Sequence, residues 1–304
     1  MRFILRRLLM TIPVLLGVTL VTFAIIKATP GDPVLIMLGQ RATPERVAEL
    51  RQQLGLDDPL LVQYTRYVAN ALRGDLGTSI RSQTPVVQEI MARLPSTLQL
   101  TTAALLISAA IGIPAGVIAA TTRSRVTSGL LTSFALVGLS IPNFWLAILA
   151  LIVFGVNLGW ISVIGGEGVK DLILPALTLG FPSAAALMRL TRASVLATLS
   201  ADFVRTSVAK GLTPRLVLWK HVLRNALIPL ITALGLQAGA LLSGAVLIES
   251  VFARPGLGRY AVTAILNRDF PQIQGMVLFA SVVYVAINLI IDLLYRSLDP
   301  RIRY

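Results

Sequence analysis

Leu8–Ile26 is a run of 19 residues without a charge, interrupted only by threonines, one glycine and one proline. As a helix it is long enough to cross the ~30 Å hydrocarbon core of a bilayer. Further apolar runs follow at Thr97–Ala120, Gly129–Leu158, Leu172–Met188, Ala226–Val251 and Gly275–Leu294. Six such segments in 304 residues, with 55% apolar and 13% charged residues, exclude an ordinary soluble domain and predict an all-α polytopic membrane protein with six transmembrane helices. Gly129–Leu158 is long enough to tilt or to break near Pro142. A cleaved leader has a shorter apolar core, and Lys27-Ala28-Thr29-Pro30 is a poor cleavage site, so the first run is expected to be retained.

Charge sets the expected orientation. Arg2, Arg6, Arg7, Arg123, Arg125, Arg189, Arg192, Arg205, Lys210, Arg215, Lys220, Arg224, Arg296, Arg301 and Arg303 all fall on one side if both termini are cytoplasmic. Only Asp202 and Asp299 are acidic there. This asymmetry is that of basic cytoplasmic loops. It also accounts for the net charge of +13 without nucleic acid, since the basic residues are dispersed and no aromatic-interleaved basic platform occurs.

Residues 29–95 form the long polar stretch between the first two spans. Its seven basic residues, including Arg41, balance seven acidic ones, and a long balanced loop can lie outside. Thr43–Leu54 reads as a helix, with Thr43 as cap, Pro44 at the first position, Val47, Leu50 and Leu54 aligned, and Gly55 as stop. Pro59–Leu72 reads as another. A short outer loop at Asn157–Asp171 contains Glu167, with Trp160 suited to a membrane interface.

Between the fourth and fifth spans lies ADFVRTSVAKGLTPRLVLWKHVLRNALIPL, Ala201–Leu230. Ser200 is the expected N-cap of a short helix, Asp202 suits its first turn, and Gly211 stops it. Thr213-Pro214 restarts a helix in which Leu216, Trp219, Leu223 and Leu227 make one apolar stripe. Arg205, Lys210, Arg215, Lys220 and Arg224 occupy the rest of the surface. The pattern is a compact docking knuckle with no catalytic constellation.

The knuckle resembles the cytoplasmic loop of importer-type ABC permeases. Aligned on Gly211, only that glycine and Leu223 match the general family motif. Arg-Thr-x-x-Ala-Lys-Gly-Leu at 205–212, with His221-x-Leu223-Arg224 after it, resembles the variant of the dipeptide/oligopeptide/nickel permease branch. Pro30-Gly31-Asp32-Pro33, Leu54-Gly-Leu-Asp, Gly74-Asp-Leu-Gly-x-Ser79 and Glu249-Ser-Val-Phe-Ala-Arg-Pro-Gly-Leu-Gly-Arg259 resemble the same branch, in the right order. The resemblance implies a type I ABC importer permease fold with a helical extracytoplasmic insertion after the first span. It divides the chain into residues 1–28, a helical region at 29–95 and a five-helix core at 96–304 with the coupling loop at about 195–225. It further implies a multi-pass subunit of a bacterial-type inner membrane that carries small peptides and is not itself an enzyme. Implied partners are a second homologous permease, two ATPase subunits and an extracytoplasmic substrate-binding protein, with membrane lipid around the chain. Arg205, Thr206, Ala209, Lys210, Gly211, Leu212, His221, Leu223 and Arg224 are the implied ATPase-coupling residues. No Gly-x4-Gly-Lys-Ser/Thr occurs, so this chain binds no cofactor and ATP and Mg belong to the partner subunits.

Polar residues inside spans are candidates for a translocation pathway or outer gate: Asn143, Gln237, Ser243 and Glu249. Helix packing or an ion pair would use the same residue types. An ion-driven secondary transporter would need titratable groups in the membrane, of which only Asp292 is deep enough. An intramembrane enzyme or metal site would need paired carboxylates, a Ser/His pair or a cluster, and the chain has one histidine and no cysteine. Among cargoes, dipeptides, oligopeptides, nickel chelates and glutathione all remain open.

Overall fold

The computed structural model describes residues 2–29, 32–39, 42–160, 162, 166 and 168–298. Pro30, Gly31, Arg41, Glu167, Asp299, Arg301 and Arg303, named above, lie outside the described residues, as do the side chains of Arg2, Arg6, Asp292 and Arg296. Two compact units are present, one of residues Met1–Pro95 with Tyr260–Ala286, the other of Ser96–Arg259 with the described residues 287–298.

In the first unit, α1 (Arg2–Ala28) is the first apolar span. Asp32 caps α2 (Pro33–Leu38), its side chain accepting a hydrogen bond from the Val34 N–H at 2.9 Å. Burial works against the Asp32 charge, but hydrogen bonds from Arg51 (2.6 Å) and Val34 outweigh it and hold the carboxyl below its usual range. Next, α3 (Pro44–Gln53) begins as its sequence dictates, with Thr43 accepting from the Arg46 N–H and Gly55 at φ +60° beyond its end. None of its residues is buried, so Val47, Leu50 and Leu54 make an edge rather than a core. The following helix, α4 (Leu60–Leu72), packs Tyr64 against α1, where the hydroxyl meets Thr19 and the Leu16 carbonyl and the ring meets Phe23 edge-on.

The Gly74–Ser79 stretch then makes a turn whose purpose is visible in its bonds. Asp75 accepts from the Gly77 N–H, and Ser79 donates to the buried Asp269 at 2.6 Å. Asp269 also accepts from the Gln272 N–H, capping α13 (Phe270–Leu298).

The second unit holds most of α5 (Val86–Thr121), followed by α6 (Arg125–Ser140) and α7 (Asn143–Ala150), which runs on as a π-helical turn, Leu151–Asn157. Then come α8 (Val169–Leu199), α9 (Asp202–Ala209), α10 (Pro214–Leu216) with a π-helical turn at Val217–Val222, and α11 (Leu223–Val251). The short span expected at Leu172–Met188 is instead part of a 31-residue helix, in which Pro175 and Pro182 are accommodated without a break. Proline cannot donate to the carbonyl four residues earlier. For Pro175 that carbonyl is Asp171, and the Arg254 guanidinium donates to it instead at 3.4 Å.

Five helices are apolar and long enough to cross a membrane, and α6 with α7 makes a sixth candidate bent by 100° at Ser140–Pro142. Packing decides whether that pair crosses. Gly180 of α8 lies against Ala104 of α5, Gly112 against Ala184, and Gly116 against Met188 and Thr191. The paired numbers rise together, so α5 and α8 run parallel. Two parallel spans need an odd number of crossings between them, hence the bent pair crosses once and the spans number six. Gly138 of α6 meets Phe181 and Ala185 of α8, while Thr132, earlier in α6, shares a cavity with Arg192 and Leu196, later in α8; these numbers run in opposite directions, so α6 is antiparallel to α8 as that crossing requires. Small residues permit these approaches: a Cβ on Gly180 would stand 2.7 Å from the Ala104 carbonyl oxygen.

Candidate coupling surface and the carboxylate-capped turn

The knuckle is built as the glycine and proline signals imply. Helix α9 ends before Gly211, which takes φ +81°, a conformation that costs other residues about 1 kcal/mol or more. Thr213 occupies the cap position with Pro214 following it, although no side-chain bond is made. Ser200 is not the cap of α9; Ala201 holds that position, and the Ser200 hydroxyl donates to the Ala197 carbonyl of the preceding turn.

The apolar stripe also differs from expectation. Leu216 and Trp219 are exposed, Trp219 at 70%, whereas Val217, Val222, Leu223 and Ala226 are buried with Val195 and Val204. The reason is the π-helical turn Val217–Val222, which lengthens the repeat and rotates every residue after it relative to a 3.6-residue helix. The cluster also touches Val117 and Ala120 at the end of α5 and Leu199 at the end of α8. Ser194 of α8 donates to the Ala226 carbonyl of α11 at 2.8 Å, tying the same ends together.

The nine residues implied for coupling divide accordingly. Arg205, Thr206, Ala209, Lys210, Gly211 and Arg224 are exposed, His221 and Leu212 are half-buried, and Leu223 is in the core. Phe203, Val208, Leu216 and Trp219 are large apolar residues exposed on the same segment. The amphipathic repeat of α9, with Val204 and Ser207 inward, would have placed Phe203 and Val208 outward from sequence. Trp219 required the π turn.

Of the four pathway or gate candidates, Asn143 is half-buried at the first position of α7, directly after the bend. Gln237 donates to the Ser183 carbonyl of α8 at 3.1 Å, while its own buried carbonyl oxygen has no hydrogen-bond partner. Ser243 is exposed on α11. Glu249 is wholly buried. Its Oε1 accepts from the Thr97 hydroxyl at 2.6 Å, and its Oε2 from the backbone N–H groups of Gly258 (2.7 Å) and Arg259 (3.3 Å).

That geometry explains the Gly-Leu-Gly of the Glu249–Arg259 stretch. The chain turns after α11 through Ala253 at φ +52° and enters α12 (Leu257–Leu266), whose first N–H groups point at the carboxylate. A Cβ at Gly256 would overlap the Glu249 carboxylate, and one at Gly258 would overlap the Val246 backbone. Thr97 in turn accepts from the Leu257 N–H at 2.8 Å. The Glu249–Arg259 stretch is therefore the end of α11, a turn, and the start of a helix held by its own buried acid. Among the described residues no cluster of His, Asp or Glu could hold a metal ion.

Comparison with known proteins agrees with this architecture. Residues 112–304 match the model of the binding-protein-dependent transport system inner membrane component, and residues 1–101 match the N-terminal model of the same membrane component. The chain is 42% identical to the dipeptide transport system permease protein DppB of Alkalihalophilus pseudofirmus, covering 98% of each chain. It is 40% identical to DppB of Escherichia coli K12 (100% of this chain, 99% of that one) and 43% identical to the glutathione transport system permease protein GsiC of Escherichia coli O6:H1 (100% and 99%). Among solved structures, an inward-facing MetNI methionine ABC transporter matches in fold with TM-score 0.59 at 20% identity, over 70% of this chain and 97% of that one. The six spans, the knuckle and the full-length matches converge on one statement: the chain is a permease of the binding-protein-dependent transport system inner membrane component family, with the type I ABC importer fold.

Proposed function

We propose that this permease carries short peptides inward across the cytoplasmic membrane, with both termini on the cytoplasmic side. ATP and Mg are bound by two ATPase subunits, a second homologous permease completes the pathway, and an extracytoplasmic binding protein delivers the cargo. One observation carries the coupling assignment: Phe203, Val208, Leu216 and Trp219 are exposed among the cations Arg205, Lys210, Arg215, Lys220 and Arg224, on a segment whose inner side packs onto α5, α8 and α11. Exposed aromatic and aliphatic anchors ringed by charge suit a protein partner. Because the buried side of the knuckle is continuous with three span ends, displacement by the ATPases moves the spans. Nucleotide at one end and loaded binding protein at the other then bias one two-state equilibrium.

Within the membrane we assign Asn143 and Ser243 to the pathway, with Gln237 holding α11 to α8 and Glu249 fixing the outer end of α11. Relatives named for dipeptide and for glutathione are equally similar to the chain, and both names denote short peptides. The test is purification of the chain with its native partners, followed by uptake of labelled dipeptide with glutathione as competitor. Co-purified ATPases and ATP-dependent dipeptide uptake support the reading. ATP-dependent uptake of glutathione alone moves the cargo to the second relative. Uptake that needs only an ion gradient, with no ATPase in the preparation, overturns it.

A further inference from the structure

A cavity of about 420 Å³ lies between α6 and α8, lined chiefly by Thr132, Leu136, Met188, Arg189, Arg192 and Leu196. Neither the coupling surface nor the carboxylate-capped turn includes it. Its two cations stand one helical turn apart on α8, where the apolar part of that span gives way to the basic edge. No acidic residue lines it, and neither arginine forms an ion pair with a carboxylate among the described residues. The next acidic residue along the chain, Asp202, is exposed and stands 3.9 Å from Arg205 instead. Arg192 donates through Nε to the Ala119 carbonyl at 3.4 Å, a bond that aims the guanidinium and leaves its outer nitrogens for another acceptor. At the cavity, Leu136 and Leu196 are exposed apolar side chains.

We propose that this cavity binds the phosphodiester headgroup of an anionic phospholipid of the inner leaflet. Two guanidinium groups without a carboxylate need an anion, and their planar forks match phosphate oxygens in pairs. Basic pockets between spans at the cytoplasmic edge are where anionic headgroups gather, drawn by the same surface charge that orients basic loops. Leu136 and Leu196, exposed beside the arginines, give the acyl chains an apolar track that a free phosphate or a soluble carboxylate would not need. A headgroup bridging Thr132 of α6 to Arg189 and Arg192 of α8 joins the bent third span to the helix it packs against.

The assembled transporter is exchanged into mixed micelles of equimolar phosphatidylglycerol and phosphatidylcholine, and retained lipid is read by native mass spectrometry. Phosphatidylglycerol should be enriched on the order of tenfold in the wild type. The enrichment should disappear in R189Q/R192Q and persist in R123Q/R125Q, which removes equal charge from the neighbouring loop. Equal loss in both double variants overturns the site in favour of general surface charge. Equal retention of the two lipids by the wild type overturns it outright, whether or not the glutamine variant assembles. A parallel arm adds inorganic phosphate or dipeptide: release of phosphatidylglycerol by either at millimolar concentration assigns the cavity to a soluble anion and overturns the lipid.

Discussion

The carboxylate of Glu249 reaches back across the turn that follows α11 to accept from the backbone N–H of Gly258 at 2.7 Å, with Thr97 donating to its other oxygen at 2.6 Å. A buried acid thus satisfies the first amides of α12 and one hydroxyl of α5. Leaving buried donors without acceptors costs about 1–3 kcal/mol each. Glu249→Ala should therefore lower the thermal stability of the detergent-solubilised protein far more than Ser243→Ala, at an exposed position of the same helix. Gly258→Ala should resemble Glu249→Ala, because its Cβ would enter the Val246 backbone. Equal melting temperatures for Gly258→Ala and the wild type would contradict this reading.

Gly211 separates conformation from space. Nothing lies within 4 Å of a Cβ built there, yet φ is +81°. Gly211→Val should leave membrane insertion and expression intact while abolishing transport-coupled ATP hydrolysis, since the strained residue shifts α9 relative to α10. Uptake at the wild-type rate would sink the coupling assignment of this glycine.

Trp219 offers the complementary test, being exposed where Leu223 is buried. Trp219→Ala should not change the stability of the isolated chain by more than about 0.5 kcal/mol, as for other exposed positions. It should reduce ATPase recovery on affinity purification. Leu223→Ala should instead destabilise the chain by roughly 2–5 kcal/mol, as core truncations do. The two variants are distinguished by pairing a thermal melt with a subunit ratio.

The α5–α8 contact predicts a helix-packing series. Gly180→Val and Gly116→Val place side-chain atoms into the facing backbone and should prevent assembly, while Gly129→Val, with nothing within 4 Å, should be tolerated. Thermal melts of the purified variants read the difference: those of Gly180→Val and Gly116→Val should fall well below the wild type, and that of Gly129→Val should match it. Equal melting temperatures for Gly180→Val and Gly129→Val would refute the close approach of α5 and α8.

Tyr260 lies under the Arg93 guanidinium, 4.6 Å from the ring centroid, and its buried hydroxyl has no hydrogen-bond partner. Burial pushes this phenol up to about 12, from an ordinary value of 10.0. The unfolded chain therefore loses the proton first as pH rises. The stabilisation is complete below pH 10 and declines towards pH 12. Tyr260→Phe should flatten that decline and be neutral or mildly stabilising at pH 7. A steeper alkaline loss in the phenylalanine variant would count against it.

Local signals were legible residue by residue. Thr43-Pro44 and Gly55 bound α3, and Gly211 with Thr213-Pro214 bound the knuckle, because caps, proline and left-handed glycine act on the backbone within one turn. The apolar runs were legible for the same kind of reason, since span length depends on bilayer thickness and not on neighbours. What composition and spacing could not supply was phase and pairing. The π turn at Val217–Val222 exchanged the expected stripe of Leu216 and Trp219 for Val217 and Val222, and a single wider turn carries no mark in a stretch apolar at every second or third position.

The sequence by itself determined that this chain must live in a membrane, how many long apolar segments it has, and where its backbone can turn. The tertiary structure alone decided that the Gly129–Leu158 segment is bent by 100° between α6 and α7, and that α5 and α8 pack parallel on either side of that single crossing. It alone decided that Glu249 is the buried anchor of α12, with its partner Thr97 separated from it by 152 residues. Insertion and turning respond to a residue's own surroundings in water or lipid. The purpose of a buried carboxylate depends on which donors the folded chain brings to it.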